Sequence, residues 1–480
     1  MEWYEILGLV VLVAFILIVA IVIINALLFK DKTDLYKNVP FLYEDDDIVY
    51  KLGELIKIPT VSHEDISLTD FSKFDEYVAK VKELYPTVFE KCEYTLTKEY
   101  AMKFYLKGKS SEKPNLLMAH YDVVPVTDGW DHDPFLGEVV DGYLYGRGTL
   151  DTKNTMACAL SALERALLKG YIPNNDLYLC FGANEEIYGD AQVKVVEEFK
   201  KQGIKFNLVF DEGGGILKNA FPGVKEDTAF LGMVEKGMVN VKLTMDGNGG
   251  HSSTPKKNGP IIRLTKALHR LEKHPMKARY TASSKEMFNV MGRHSLFALK
   301  IILGNMWLFK GLVKFLFPLV SADVNALLRT TFAFTIINGG NQTNVIPNHV
   351  EANVNVRIAP FDTVEDVVKH IRKVIKDDSI VITTSDINKM YPECSFKQEG
   401  YETIKETIIE TYNGTVVAPF IMLGGTDGRH YNEVCDCVIR FSPMKLSNAD
   451  RKGVHGLNER IDVESLKKCN EFYQRLLTKL

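Results

Sequence analysis

Five short segments of this chain set acids and histidines directly after apolar runs, the way an α/β sheet presents side chains to a crevice at its strand ends. They are LLMAHYDVVP with His120 and Asp122, GRGTLDTKN with Asp151, ANEEIYGD with Glu185 and Glu186, LVFDEGGG with Asp211 and Glu212, and VHGLNER with His455. Taken singly, each has an ordinary explanation. A buried imidazole needs only a hydrogen-bond partner, an EE pair usually starts a solvated helix, and DEGGG alone reads as a turn. Taken together they deliver nitrogen and oxygen donors at successive strand ends. Zinc takes such donors, and catalytic zinc keeps one position open for water.

The chemistry assigns roles. The apolar run NLLMA leads into His120, and Asp122, two residues on and facing the same way, can hold the second ring nitrogen. Asp151 follows the GRGT turn and precedes a helix expected from about Met156 to Leu168, so both of its oxygens can bridge two cations roughly 3.5–4 Å apart. Glu185 and Glu186 are neighbours that point differently, so one can bind metal while the other stays free as general base. Asp211 ends the strand LVF and can close the second metal's shell, with His455 arriving from the far end of the chain.

Alternation of strands with helices to about Leu231 indicates an α/β fold, a mostly parallel sheet flanked by helices. The segments DDIVYKLGELIKIPTV and FDEYVAKVKELYPTVF are read as amphipathic helices. After EKGMVNVKLTMDGNGGHSSTP the pattern changes to a small α+β unit, a lid inserted into the larger domain. The expected divisions are a transmembrane anchor over 1–32, a tether over 33–47, a first catalytic segment over 48–238, the lid over 239–390 and a second catalytic segment over 391–480. A net charge of -4 argues against a dedicated nucleic-acid surface. The seven cysteines are scattered and do not read as a disulfide framework.

From Ile6 to Phe29 the chain is almost unbroken Leu, Ile, Val, Ala and Phe, enough at about 1.5 Å per residue to span a hydrocarbon layer. The rival reading is a cleaved signal peptide. The run exceeds an h-region of about 7–15 residues and lacks a basic n-region, which favours an uncleaved single-pass anchor. Lys30, Lys32 and Lys37 after the helix lean toward a cytoplasmic catalytic domain.

The chain resembles the zinc-dependent aminoacylase and carboxypeptidase family, and within it the carboxypeptidase S and N-fatty-acyl-amino-acid hydrolase branch. The segments MAHYDVVPV, WDHDPF, YGRGTLDTKN, NEEIYGD, FDEGGG, HSSTP, NVIPN, GGTDGRHY and VHGLNE carry the resemblance over about residues 40 to 480. It implies a zinc-exopeptidase-like fold and two Zn2+ ions, other divalent transition metals being possible. His120 and Glu186 or Asp211 are then terminal ligands, Asp151 the bridge, Glu185 the general base and His455 the last ligand. Glu212 directly follows Asp211, and the strand-end position favours Asp211. The branch commonly acts in lumenal or extracellular spaces, which opposes the lysine count, so the sequence leaves the side of the membrane open.

The resemblance also gives His251, in NGGHSSTP, the task of polarising the scissile carbonyl or holding its oxyanion when the lid closes. Asn344 in TNVIPN can donate to the same charge, and Arg357 is the residue type that grips a carboxylate with two parallel hydrogen bonds. Gly424, Gly425 and Thr426 resemble a loop whose backbone amides hold the substrate carboxylate, braced by Asp427, Arg429 and His430; His430 is the alternative ligand to His455. Within an insertion over 280–328, the run SLFALKIILGNMWLFKGLVKFLFPLV is nearly continuous apolar sequence broken by Lys300, Lys310 and Lys314. It reads as a buried helical pair or dimer face, or as a greasy wall near the active site or bilayer suited to a long acyl chain. The expected substrate is an N-acyl amino acid or a dipeptide, with a homodimer through the lid as a further expectation. Competing readings are a carboxypeptidase or dipeptidase on ordinary peptides and a non-catalytic membrane receptor or scaffold. The complete donor set with an unligated base weighs against the last.

Overall fold

The computed structural model describes residues 2–31, 33, 35–37, 39–41, 43, 47–388 and 390–480. The tether expected over 33–47 therefore lies partly outside the described residues, as do Lys32 and Asp34.

Apolar strands assemble a ten-stranded mixed sheet whose centre is parallel. Asn175–Gly182, Ser110–His120, Leu208–Asp211 and Val438–Arg440 run side by side in one direction. At one edge Glu93–Leu96 and Met102–Leu106 join antiparallel. At the other, Thr228–Glu235 carries Val416–Met422 in parallel and Gly215–Leu217 antiparallel. The central strands are covered on both faces, which is why they read as continuous apolar runs: Leu116, Leu117, Met118 and Ala119 are all buried. Because these strands are parallel, their C-terminal ends share one rim, with His120 in register with Gly182.

The helix expected from Met156 runs instead over Lys153–Leu168 and packs beneath the sheet with Ile48–Ile56 and Val463–Leu477. Its first turn is polar yet buried. Lys153 Nζ donates to the carbonyls of Leu55 and Ile58 at 3.2 and 2.7 Å, so this lysine joins the core by satisfying its charge on backbone oxygens. The segment FDEYVAKVKELYPTVF splits into Phe71–Leu84 and Pro86–Lys91. Proline has no N–H to continue the first helix and starts the second at its first position.

After Glu235 the chain enters a second, four-stranded antiparallel sheet in the order Thr331–Gly339, His349–Ile358, Gly237–Asp246 and Val381–Asn388. Alternation along His349–Ile358 buries Val350, Ala352, Val354 and Val356 against helices Pro260–Lys273 and Val364–Ile375.

The apolar insertion forms four helices, Ala282–His294, Phe297–Leu303, Met306–Val320 and Ala322–Leu328. They leave the small sheet and pack on strand Val416–Met422 of the large one, with Phe288, Met291 and Leu328 clustered against Val416, Ala418 and Ile421. Each such side chain contributes about 1.5–3 kcal/mol by leaving water. Helix Trp3–Leu28, 26 residues long, is long and apolar enough to cross a membrane, and it touches Phe297–Leu303. All seven cysteines are free and buried.

Candidate metal centre

The rim of the parallel strands gathers the expected donors. His120 ends its strand fully enclosed. Its Nε2 lies 3.1 Å from Asp151 Oδ1 and 3.1 Å from Glu212 Oε1. His455 Nε2 lies 3.0 Å from Asp151 Oδ2 and 3.0 Å from Glu186 Oε2. Asp151 thus turns one oxygen to each imidazole, and each imidazole meets one further carboxylate.

Asp211 does not join this cluster. Its Oδ2 accepts the N–H of Gly428 at 2.7 Å, and burial raises its pKa against hydrogen bonds from Thr426 and from the Glu212 and Gly428 amides. Of the two acids at this strand end it is Glu212, not Asp211, whose carboxylate lies against His120. Successive residues of an extended chain face opposite ways, and at this strand end the second of the pair points at His120.

Asp122 holds the cluster from behind. His120 Nδ1 lies 3.0 Å from the Asp122 carbonyl and 3.4 Å from its Oδ1, so the backbone shares the orienting role expected of the carboxylate. That carboxylate also accepts from Ser62 Oγ at 2.7 Å and from the N–H groups of Glu185 and Glu186, both at 3.2 Å. The two glutamates are fixed as a pair with different outlooks. Glu186 reaches His455, whereas Glu185 contacts neither histidine by a hydrogen bond among the described residues. Burial raises the Glu185 pKa well above the usual carboxylate range; His120 opposes this and Asp427, Glu212 and Glu186 reinforce it.

Electrostatics without a cation show the strain of packing these acids together. Burial and the neighbouring Asp151 push Glu212 up to about 8. At His120 burial opposes the charged form, and Glu212, Asp122 and Asp151 outweigh it, raising the imidazole pKa well above its ordinary value. Hydrogen bonds to Asp151 and Glu186 raise His455 to about 10.

Glu459 was not singled out by sequence, although it lies in the same VHGLNER segment as His455. It is fully buried, and its Oε1 accepts the N–H groups of Gly148, Leu150 and Asp151 at 3.1, 2.7 and 3.1 Å. Arg147 completes it with a 2.6 Å ion pair. This carboxylate shapes the turn that presents Asp151, a turn in which Gly148 adopts φ 94°, the region that favours glycine.

A model of the peptidase family M20/M25/M40 matches residues 116–479. The chain belongs to this family. The N-fatty-acyl-amino acid synthase/hydrolase PM20D1 of Xenopus tropicalis is 35% identical, covering 98% of this chain and 93% of that protein. Probable carboxypeptidase S-like 2 of Dictyostelium discoideum is 33% identical, covering 90% and 85%. Among solved structures, the M20 family metallo-carboxypeptidase Sso-CP2 from Sulfolobus solfataricus shares the fold with a TM-score of 0.64 at 19% identity, over 90% of this chain and 99% of that one. This M20 chain is accordingly an enzyme of a metal-dependent peptidase family, in the branch its motifs suggested.

The donors of the M20 chain suit metal. His120, Asp151 and Glu186 offer ligand atoms all within 4.8 Å of one another. Glu186 Oε1 is buried with no hydrogen-bond partner among the described residues, as expected of an oxygen kept for a cation.

The substrate-side residues fall into two groups. Gly425 and Arg357 line one crevice with Lys236, Arg429, Arg440 and Tyr391. Beside it Thr426 donates from N and Oγ1 to Glu235 at 3.1 and 2.9 Å, and Glu235 pairs with buried Arg440. Gly424 precedes this loop and is exposed. His251 and Asn344 stand elsewhere, on and just before the strands of the two-stranded ribbon Gly250–His251 and Val345–Ile346. There Ser252 N–H donates to the Asn344 carbonyl at 3.0 Å, and His251 Nδ1 lies 2.7 Å from Ser253 Oγ. Both residues are exposed, and among the described residues neither bonds to the cluster. His430 also stays out; burial and Arg429 lower its pKa to about 4, and its Nε2 has no partner among the described residues.

Proposed function

We propose that this chain is a membrane-anchored, two-metal amidohydrolase that cleaves, or at high product concentration re-forms, the amide bond of N-acyl amino acids. The observation that carries the proposal is Asp151 facing His120 with one oxygen and His455 with the other. In this reading His120, Asp151 and either Asp211 or Glu212 would hold one cation, and His455, Asp151 and Glu186 the other, with zinc the metal that best matches mixed imidazole and carboxylate donors. When bound, the cations acidify a water and polarise the scissile carbonyl.

The chain's own residues supply the rest. Glu185, enclosed and free of either histidine, accepts a proton from the attacking water on a carboxylate oxygen and passes it to the leaving nitrogen. Arg357, with the Gly424–Gly425–Thr426 loop, receives the free α-carboxylate, since the crevice that Arg357 and Gly425 line with Lys236 and Arg429 is rich in cationic donors. His251 and Asn344 would meet the substrate carbonyl on lid closure or across a lid-to-lid dimer. Strand Thr331–Gly339, the open edge of the lid sheet with Phe334, Ile336 and Ile337 exposed, supports such pairing. Helix Trp3–Leu28 supplies the single-pass anchor.

Hydrolysis of an N-acyl amino acid panel and a dipeptide panel, with metal content measured on the same samples, tests the proposal. Glu185→Gln should keep its metal and lose about 10²–10⁴-fold in kcat. Unchanged turnover by that variant would overturn the mechanism, and hydrolysis of dipeptides alone would move the chain to the peptidase reading.

A further inference from the structure

Between the insertion and the large sheet lies a cavity of about 630 Å³ that the proposed chemistry does not use. Gly214 and Leu423 are among the residues that line it. Gly214 is two residues past Glu212, and Leu423 immediately precedes the Gly424–Gly425–Thr426 loop. Met287, Phe420, Phe317 and Val320 line it as well. The volume falls in the range of about 300–1,000 Å³ typical of small-molecule sites. Lys218, Asp323 and Arg451 also line it, and all three are exposed.

Phe317 and Val320 belong to helix Met306–Val320, which also exposes large apolar side chains: Phe315, Leu319 and Val320 are 68%, 71% and 82% exposed. Lys310 and Lys314 are interleaved with them, the composition of a helix lying at a lipid surface with its lysines reaching to the headgroups. The helix is bent by 105° from Phe297–Leu303, so the pair does not make a straight span. This surface is fastened to the apolar N-terminal helix. Asn25 Nδ2 donates to Asn305 Oδ1 at 2.9 Å, and Asn305 Nδ2 donates to the Val22 carbonyl at 3.0 Å, with Asn305 fully buried. Phe29 packs against Gly292 and Gly304, where an added Cβ would come within 2.8 and 3.1 Å of its ring. Below it, His294 bridges Asp31 and Glu226 at 2.8 and 3.1 Å.

We infer that this cavity receives a long acyl chain of the substrate, drawn from the lipid layer in which the N-terminal helix sits, and leads its amide end toward the metal centre. The inference deepens the amidohydrolase reading and rests on it for the identity of the amide. The exposed apolar helix gives the chain a way in without crossing water, and the apolar walls replace the lipid it leaves. Chain length should therefore govern kcat/KM, by up to about fourfold for each methylene buried until the cavity is full.

The test uses the full chain in phosphatidylcholine vesicles with a diazirine-bearing N-palmitoyl glycine, followed by photolysis and mapping of the adducts. Labels should fall on Ala282–His294, Met306–Val320 and Val416–Met422; labelling confined to other segments would overturn the assignment. Val324→Trp, which narrows the cavity from a partly buried position, should lower kcat/KM for N-palmitoyl glycine at least tenfold more than for N-butanoyl glycine. An unchanged ratio would also overturn it. Entry from the bilayer is tested by Phe315→Gln with Leu319→Gln. That pair should slow hydrolysis of vesicle-borne N-palmitoyl glycine and spare water-soluble N-octanoyl glycine, and equal rates on vesicles would sink this part of the inference. Photolabelling needs no turnover, so it can succeed or fail independently of the Glu185→Gln result.

Discussion

The carboxylate of Asp122 accepts the backbone N–H of Glu185 at 3.2 Å, so a residue beside one histidine fixes the glutamate proposed to move the proton. The same carboxylate takes the Glu186 N–H and sits 3.4 Å from His120 Nδ1. One buried side chain thereby ties two separate strand ends into one rigid rim. Partners that orient ligating imidazoles in this way fix the tautomer and raise ligand basicity.

Replacing Asp122 with Asn keeps the shape but removes the charge and turns one amide N–H group toward a backbone N–H. Asp122→Asn should weaken metal binding by about 10–100-fold. Competition against a chelator of known affinity measures this directly. Affinity equal to the parent's would show that the Asp122 carbonyl alone suffices to orient His120.

Lys236 gives a pH signature unrelated to the metal centre. It is buried, donates to the carbonyls of Ala326 and Arg329 at 3.1 and 2.9 Å, and lies near Arg357. Burial, helped by Arg357, pushes its pKa down to about 7. In the unfolded chain a lysine titrates near 10.4, so between about pH 7 and 10 the unfolded state binds the extra proton. Stability should therefore rise with pH across that window, by at most about 1.4 kcal/mol per unit, and be depressed below pH 7. Lys236→Met removes the group, and its denaturant midpoint plotted against pH should lose this slope relative to the parent.

The parts of the site that could be read from sequence are those governed by local pattern. His120 follows an apolar run, Asp151 follows a glycine turn, and paired glutamates must diverge, so their meeting with His455 follows from sheet order. What stayed hidden depends on long-range partners. Glu459 gains its role by capping a turn more than three hundred residues earlier, as its bond to the Gly148 amide shows. The insertion looked like part of the lid because it lies within that stretch of chain. It packs elsewhere because its apolar faces find strand Val416–Met422 and the N-terminal helix, and neither contact leaves a mark in local periodicity. Helix Lys153–Leu168 began early for a similar reason: its first lysine is satisfied by the carbonyls of Leu55 and Ile58, in the last turn of helix Ile48–Ile56 and just beyond it, out of reach of any window of neighbouring residues.

Asp211 and Glu212 show where a strand-end argument needs one more fact. Both are acidic, and one residue of register separates a carboxylate aimed at His120 from one aimed at Gly428. If the metal reading is correct, removing the ligand charge at position 212 should matter far more to binding than removing it at 211. Glu212→Gln should lower metal stoichiometry toward one per chain, with loss of hydrolysis. Asp211→Asn can still accept the Gly428 N–H through its amide oxygen, so it should retain both ions while loosening the Thr426 loop and raising KM. Metal analysis of the two proteins after identical dialysis decides the matter, because full occupancy in Glu212→Gln together with depletion in Asp211→Asn would return the ligand role to the strand-end aspartate.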